Sequence, residues 1–145
     1  MIIKKALTIL ALISSSFVFS QITLSSDLPS NITSGKIIDV EVKINKGKIK
    51  NFGKYEMKVP EGYKVSAVEV KDGNFTFENR LAKIIWLSIP KKNEIVLKLK
   101  VEASADTSIS SGTFLQKFYY LDNNEKKQVI SSPNVLTVNS QEKSN

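Results

Sequence analysis

Polar and apolar residues alternate with a period of two along most of this chain, and this alternation is the feature that most limits its fold. Residues 37–44 (IIDVEVKI) and 94–103 (EIVLKLKVEA) show it most clearly, with aliphatic side chains on one side and mainly charged ones on the other. Successive side chains of a β-strand point to opposite faces, so each segment is predicted to be a strand with one buried face. No segment of ten or more residues has the 3.6-residue apolar stripe of a helix. The chain is therefore predicted to be all-β.

Further segments separated by turn residues are also predicted to be strands, and one of them, 81–89, is apolar on both faces, as in a central strand. They are residues 21–35 (a first edge strand and a turn), 52–59, 63–70, 75–77, 81–89, 113–121 and 128–138. The phase slips within 63–70, which predicts a bulge near residues 66–68. Pro133 predicts an edge strand or a bend in the last segment. About eight closely spaced strands favour an antiparallel β-sandwich, with a small β-barrel as the alternative.

Two acidic turns suit either calcium loops or hairpins. Residues 71–74 contain Asp72-Gly73, and residues 122–125 read Asp-Asn-Asn-Glu. Neither has the spacing of oxygen ligands found in an EF-hand loop. Asp-Gly and Asn-rich pairs favour tight hairpin turns. We therefore expect a hairpin at each turn and no metal site.

The first twenty residues have the three parts of a secretory signal peptide. Two lysines precede the apolar stretch 6–13, and Val18 and Ser20 suit the −3 and −1 positions of a cleavage site. The stretch is short and interrupted by serines, unlike a membrane span. We expect an exported protein with no stable membrane insertion after cleavage. Its parts are a signal peptide over 1–20, a single β-sandwich domain over 21–138 and a disordered tail over 139–145.

The composition narrows the chemistry that this chain can perform. Its 145 residues include no Cys and no His, which excludes disulfides, thiolate and imidazole metal ligands, and nucleophiles activated by histidine. Hydrolysis of glycosides would need a pair of carboxylates in a cleft. The available acidic residues lie on predicted outer faces or turns, as Asp39 and Glu41 do. We therefore expect neither a cofactor nor enzymatic activity.

The positive charge has a pattern that argues against nucleic-acid binding. The chain has 21 basic and 14 acidic residues, for a net charge of +7, but only Arg80 is an arginine. Arginine is the residue favoured for bidentate recognition of phosphates and bases. The lysines are spread along the predicted strands, as on solvated faces that resist aggregation. No nucleic-acid partner is expected.

Four residues are candidates for contact with a ligand or partner: Trp86, Lys117, Tyr119 and Tyr120. Trp86 could be a sugar-stacking platform, although a Trp on a central strand usually lies in the core with its N–H bonded to a neighbour. Tyr119 and Tyr120 point to opposite faces of their strand. An exposed Tyr beside Lys117 suits contact with a protein or a glycan. A cross-strand aromatic pair is the alternative.

The order of the segments LPSNITSGKIIDVEVKI, VPEGYKV, NFTF, KIIWLSIP and EIVLKLKV resembles that of bacterial immunoglobulin-like modules of exported proteins. The resemblance extends over residues 24–138, and the overall order is also similar to that of the cohesin and carbohydrate-binding sandwich group. It implies the sandwich fold and a non-catalytic, interaction-type role. It assigns no functional residue.

The SFVFSQ end of the leader and the abundance of Lys, Asn and Ile are similar to those of Bacteroidota envelope proteins. Many exported proteins of that phylum carry a C-terminal sorting domain, and this chain ends soon after its sandwich. The resemblance therefore implies a periplasmic location, with secretion as the alternative. We expect a non-enzymatic exported sandwich that contacts another envelope protein, for which pairing of an edge strand is one route. A small carbohydrate-binding module is the alternative function.

Overall fold

The computed structural model describes residues 21–106 and 111–140, where all regular secondary structure is β-strand. The strands are β1 (Thr23–Ser26), β2 (Asn31–Thr33), β3 (Ile37–Asn45), β4 (Gly53–Lys58), β5 (Tyr63–Glu69), β6 (Asn74–Glu78), β7 (Leu81–Trp86), β8 (Glu94–Ala103), β9 (Ser111–Asp122), β10 (Glu125–Ile130) and β11 (Asn134–Asn139). No helix long and apolar enough to cross a membrane occurs in these ranges. The predicted signal peptide lies outside the described residues, as do positions 141–145 of the predicted tail.

The strands form two sheets that pack face to face. One sheet has the order β1-β3-β8-β5, and the other has the order β2-β11-β9-β4-β7-β6, with β10 also paired to β9. This arrangement confirms the all-β sandwich prediction. The barrel alternative is wrong, because within the described residues no ladder of hydrogen bonds joins one sheet to the other.

The core lies between the two sheets and is built from the alternate residues of each strand. Val42 and Leu97 of the four-stranded sheet and Met57, Ile84 and Phe118 of the seven-stranded sheet have no exposed surface. Each of these side chains contributes roughly 1.5–3 kcal/mol through removal of apolar surface from water. The period-two pattern therefore identifies the buried face of each long strand.

The described residues form eleven strands rather than about eight, partly because one predicted strand is divided. Ile130 pairs with Lys117 and Asn134 pairs with Phe114, so three residues between β10 and β11 lie opposite two residues of β9. Pro133 lies in this bulge, which confirms the predicted bend. The predicted bulge in β5 is also confirmed, since its register against β8 shifts between Ala67 and Glu69.

The N-terminal segment also contains two strands instead of one. β1 joins the four-stranded sheet, and β2 joins the seven-stranded sheet, where it runs parallel to β11 with Asn31 opposite Thr137. The N–H of Ser34 donates to the carbonyl oxygen of Asn139 at 2.8 Å and extends this pairing. The antiparallel prediction is wrong for this one pair, because three residues carry too little pattern to specify a partner.

The turn at Asp72-Gly73 does not form the predicted hairpin. Lys71 and Asp72 have φ values of 49° and 63°, as in a tight turn, but β5 and β6 belong to different sheets. The turn therefore carries the chain from one sheet to the other. The turn at residues 123–124 does join two paired strands, as predicted.

A buried amide links the two sheets. Gln116 has no exposed surface, and its Oε1 accepts a hydrogen bond of 2.7 Å from the hydroxyl of Tyr55. Its Nε2 donates to Ser26 Oγ of β1 at 2.8 Å and lies 3.4 Å from Asn134 Oδ1. Buried polar groups need such partners, because an unpaired one costs about 1–3 kcal/mol. The amide therefore ties β9 to β4 in its own sheet and to β1 in the facing sheet.

Burial of Tyr55 predicts a loss of stability at alkaline pH. Desolvation raises the pKa of the Tyr55 phenol well above its ordinary value of 10.0. The contribution of Tyr55 to the free energy of unfolding is therefore fully present below pH 10. It is lost as the pH rises further, by up to about 1.4 kcal/mol per pH unit. Tyr55→Phe removes this contribution, so the variant is less stable than the parent at pH 8 and the gap narrows by pH 11. Urea unfolding at both pH values measures the difference in stability between the parent and the variant. A difference that stays the same at pH 8 and pH 11 would contradict the prediction.

Candidate interaction face

Trp86 lies in the core and has no face open to a ligand. It is 1% exposed, and its Nε1 donates to the carbonyl oxygens of Val70 at 3.1 Å and Lys71 at 2.9 Å. The packing around it is tight, since a Cβ atom on Gly73 would lie 2.8 Å from Nε1 and 2.3 Å from Ile84 Cγ2. Trp86 therefore anchors the turn between the sheets, and sugar stacking would require a ring surface that the core already covers.

The two adjacent tyrosines of β9 lie on opposite faces of the sheet. Tyr120 points into the sandwich, is 9% exposed and stacks on Phe118 with the ring centroids 5.7 Å apart. Tyr119 and Lys117 point to solvent and are half-buried. Of the four residues singled out from the sequence, these two share a surface, and Trp86 and Tyr120 do not lie on it.

β4 and β7, which follow β9 in the order of the sheet, extend this surface in two rows of side chains. In the register of the ladders, Ile85, Lys54 and Tyr119 lie side by side on β7, β4 and β9. One step along the strands, Lys83, Glu56 and Lys117 form the second row. All six are half-buried. We call these six residues the outer face.

The outer face has a fixed arrangement of charges. Lys54 Nζ lies 3.1 Å from Glu56 Oε1 and 4.4 Å from the centroid of the Tyr119 ring, which gives an ion pair and a cation–π contact. Lys83 and Lys117 flank Glu56 in register, and neither makes an ion pair within the described residues. Three lysines and one glutamate leave the outer face net positive around a single aromatic ring.

Sequence reasoning missed Lys54, Glu56, Lys83 and Ile85 as members of this surface. Their alternation predicts that they face solvent, but it does not predict which strands become neighbours of β9. β4 and β7 come from residues 53–86, and β9 begins only at Ser111. The signal that was available is the opposite charge of Glu56 and Lys117, which suits a cross-strand pair.

Several acidic residues of the sheets make ion pairs with lysines. Asp39 Oδ1 lies 2.8 Å from Lys100 Nζ, and Asp122 Oδ2 lies 2.8 Å from Lys127 Nζ. Within ranges 21–106 and 111–140, no group of three or more acidic residues is placed to hold a metal ion.

Comparison with known proteins supports the fold. No protein-family model matches the chain, and no curated protein matches it. The full-length major pilin SpaD from Corynebacterium diphtheriae is similar over 79% of this chain and 35% of its own length, at 8% identity and a TM-score of 0.61. This chain therefore spans about a third of that pilin. A non-cellulosomal cohesin from the hyperthermophilic archaeon Archaeoglobus fulgidus is similar over 84% of this chain and 94% of its own, at 15% identity and a TM-score of 0.58.

A third similar structure is AvmM, described as catalysing macrocyclization in alchivemycin A biosynthesis. It is similar over 87% of this chain and 92% of its own, at 12% identity and a TM-score of 0.45. Sandwich folds carry unrelated activities, so likeness at these identities concerns architecture alone. With the sheet topology, the likeness to the pilin and to the cohesin shows that this chain has an immunoglobulin-like or cohesin-like β-sandwich fold.

Proposed function

We propose that this protein is a non-enzymatic exported binding domain that contacts another protein of the cell envelope through the outer face. The observation that carries the proposal is the arrangement around Tyr119, whose ring is held by Lys54 on a rigid sheet. Tyr is enriched in protein interfaces, because it offers a large contact area with a polar tip. The leader pattern at residues 1–20 supports export, and the periplasm is the compartment that we propose.

The charges of the outer face define the partner that would fit it. Lys83 and Lys117 carry positive charge with no counter-ion among the described residues, so a partner with acidic side chains around an apolar centre is complementary. Half-buried side chains have already lost part of their rotamer freedom, which lowers the entropic cost of binding. The outer face is therefore suited to a specific contact of moderate affinity.

The carbohydrate-binding alternative has less support. Trp86 and Tyr120 are both buried, so Tyr119 is the only one of the three candidate rings on the surface. The ammonium of Lys54 lies over that ring, where a sugar would have to stack. A glycan would have to displace the cation–π contact between Lys54 and Tyr119 before its sugar ring could stack on Tyr119.

A photo-crosslinking experiment tests the proposal. A photoreactive amino acid in place of Tyr119 is expected to capture one discrete envelope protein in cells. In place of Val68, which is 55% exposed on the other sheet, it is expected to capture none. Lys117→Glu should reduce the yield at position 119 about fivefold or more, because reversal of one charge at an interface costs on the order of 1 kcal/mol.

Lys64→Glu is the matched control, since it makes the same charge reversal at an exposed site on the four-stranded sheet. It should leave the crosslink unchanged. Equal crosslinking from positions 119 and 68, or equal loss with both charge reversals, would contradict the outer face as the site. Capture of a glycan-bearing species that survives Lys117→Glu would favour the carbohydrate alternative.

A further inference from the structure

Two loops at one end of the sandwich enclose a groove lined by lysines. Residues 46–52 connect β3 to β4, and residues 87–93 connect β7 to β8. The groove between them has a volume of about 650 Å³, and its charged lining residues are Lys46, Lys48, Lys50 and Lys91. Asn51 and Asn93 also line it, and no acidic residue does. We call this the lysine groove.

Backbone hydrogen bonds fix the two loops against each other. The N–H of Lys46 donates to the carbonyl oxygen of Asn93 at 2.8 Å, and the N–H of Ile89 donates to that of Asn51 at 2.7 Å. Asn51 has a φ of 69°, a left-handed conformation that Asn adopts more readily than most residues. These hydrogen bonds therefore fix the position of one loop relative to the other.

Lys46 is a buried cation among the residues that line this groove. It is 2% exposed, and its Nζ donates to the carbonyl oxygen of Ile49 at 2.9 Å. Burial lowers the pKa of this ammonium, because the charged form loses hydration. No carboxylate pairs with it among the described residues. An anion that entered the groove would supply the missing counter-charge.

Several lysines outside the groove are paired with acidic residues. Six lysines of the described residues make ion pairs: Lys43, Lys54, Lys71, Lys98, Lys100 and Lys127. None of the four groove lysines does, and Lys48, Lys50 and Lys91 are exposed. Positive charge is thus left uncompensated at this end of the molecule, where no acidic residue lines the groove. Such a concave basic surface attracts acidic groups.

We propose that the lysine groove binds an acidic, extended peptide segment of another protein. Lysine ammonium groups pair with single carboxylates, whereas phosphate recognition favours the bidentate fork of arginine, which the groove does not contain. None of its lining residues is aromatic, so it offers no platform for a sugar ring. The side-chain amides of Asn51 and Asn93 can pair with the N–H and C=O groups of a peptide backbone. This site is separate from the outer face.

Fluorescence anisotropy with the purified exported protein tests the proposal. The probe is a labelled peptide of alternating Glu and Gly, about ten residues long, which spans roughly 33 Å when extended. The combined variant Lys48→Gln, Lys50→Gln and Lys91→Gln should bind it about tenfold more weakly, as expected for the loss of three exposed ion pairs. Binding should also weaken as salt rises, because exposed charge pairs are screened.

The matched control is Lys36→Gln, Lys58→Gln and Lys64→Gln. It removes the same charge from three exposed lysines at the opposite end of the sandwich, where β3 and β5 begin and β4 ends. It should change the affinity less than about twofold, since long-range charge effects are screened at physiological salt. Lys117→Glu should leave peptide binding intact, which separates this proposal from the one for the outer face.

Four results would overturn the proposal. They are absence of peptide binding, equal weakening by both triple variants, equal affinity for a Gln-Gly peptide, and stronger binding of another anion class. The last is measured by competition with inorganic phosphate, polygalacturonate and vesicles containing anionic phospholipid. Each competitor is compared with unlabelled Glu-Gly peptide at equal concentrations of negative charge. If a competitor displaces the labelled peptide at a lower concentration than the unlabelled peptide does, the lysine groove binds that class of anion instead.

Discussion

Replacement of Trp86 by alanine is expected to lower the free energy of unfolding by about 4 kcal/mol, as is typical of a buried Trp truncated to Ala. The side chain is 1% exposed, so the substitution leaves a large cavity between the sheets. It also removes the donor for the carbonyl oxygens of Val70 and Lys71, which fixes the turn from β5 to β6. Urea unfolding followed by circular dichroism measures the effect, since the variant has no Trp fluorescence.

Leu87→Ala is the control for this prediction. Leu87 follows Trp86 in the chain but is 87% exposed, so its truncation should change stability by no more than about 0.5 kcal/mol. Trp86→Phe should fall between the two, because it keeps most of the ring and loses the N–H donor. If Trp86→Ala and Leu87→Ala had similar unfolding midpoints, the placement of Trp86 in the core would be wrong.

Replacement of Gln116 by leucine is expected to lower the free energy of unfolding by about 3 kcal/mol, the upper range for leaving a buried polar group unpaired. The hydroxyl of Tyr55 would lose its acceptor in the core, and Ser26 would lose the amide that donates to it from the other sheet. Leu is close to Gln in size, so the cost arises from hydrogen bonding and not from a cavity. Gln128→Leu is the matched control on the exposed side of β10 and should have little effect.

A double-mutant cycle separates the hydrogen bond from packing. When Tyr55→Phe is added to Gln116→Leu, both partners become apolar and the unpaired hydroxyl disappears. The double variant should therefore be about 1–2 kcal/mol more stable than the sum of the single changes predicts, as expected for residues in direct contact. Additive effects would show that the two side chains do not share a hydrogen bond in solution.

The long strands were predictable because each has one buried face. β3 and β8 follow their sequence pattern, with Val40, Val42, Leu97 and Leu99 buried. Strand pairing was less predictable, because it depends on contacts between distant segments. Asp72-Gly73 gives a tight turn in either case, and this turn crosses between the sheets because β5 pairs with β8 and β6 pairs with β7.

The candidate surfaces were partly predictable for the same reason. The alternation predicts that Tyr119 and Tyr120 point to opposite faces of the sheet. It does not predict which side chains of β4 and β7 lie beside Tyr119. Gln116 shares its parity with Phe114 and Phe118, which was an available signal of a buried amide. The lysine groove needs the topology, because residues 46–51 and 88–93 become neighbours only when β3 pairs with β8.

The parallel pairing of β2 with β11 determines how the domain would carry tension. Gln21 lies at the lysine-groove end of the sandwich, and Asn139 lies at the other end, beside Ser34. A force applied to these two ends acts along β1, β2 and β11. This force pulls β1 past β3 and β2 past β11 in shear. The hydrogen bonds between the strands lie across the direction of pulling, so they are loaded side by side. Several hydrogen bonds must therefore break together before β1 separates from β3 or β2 separates from β11.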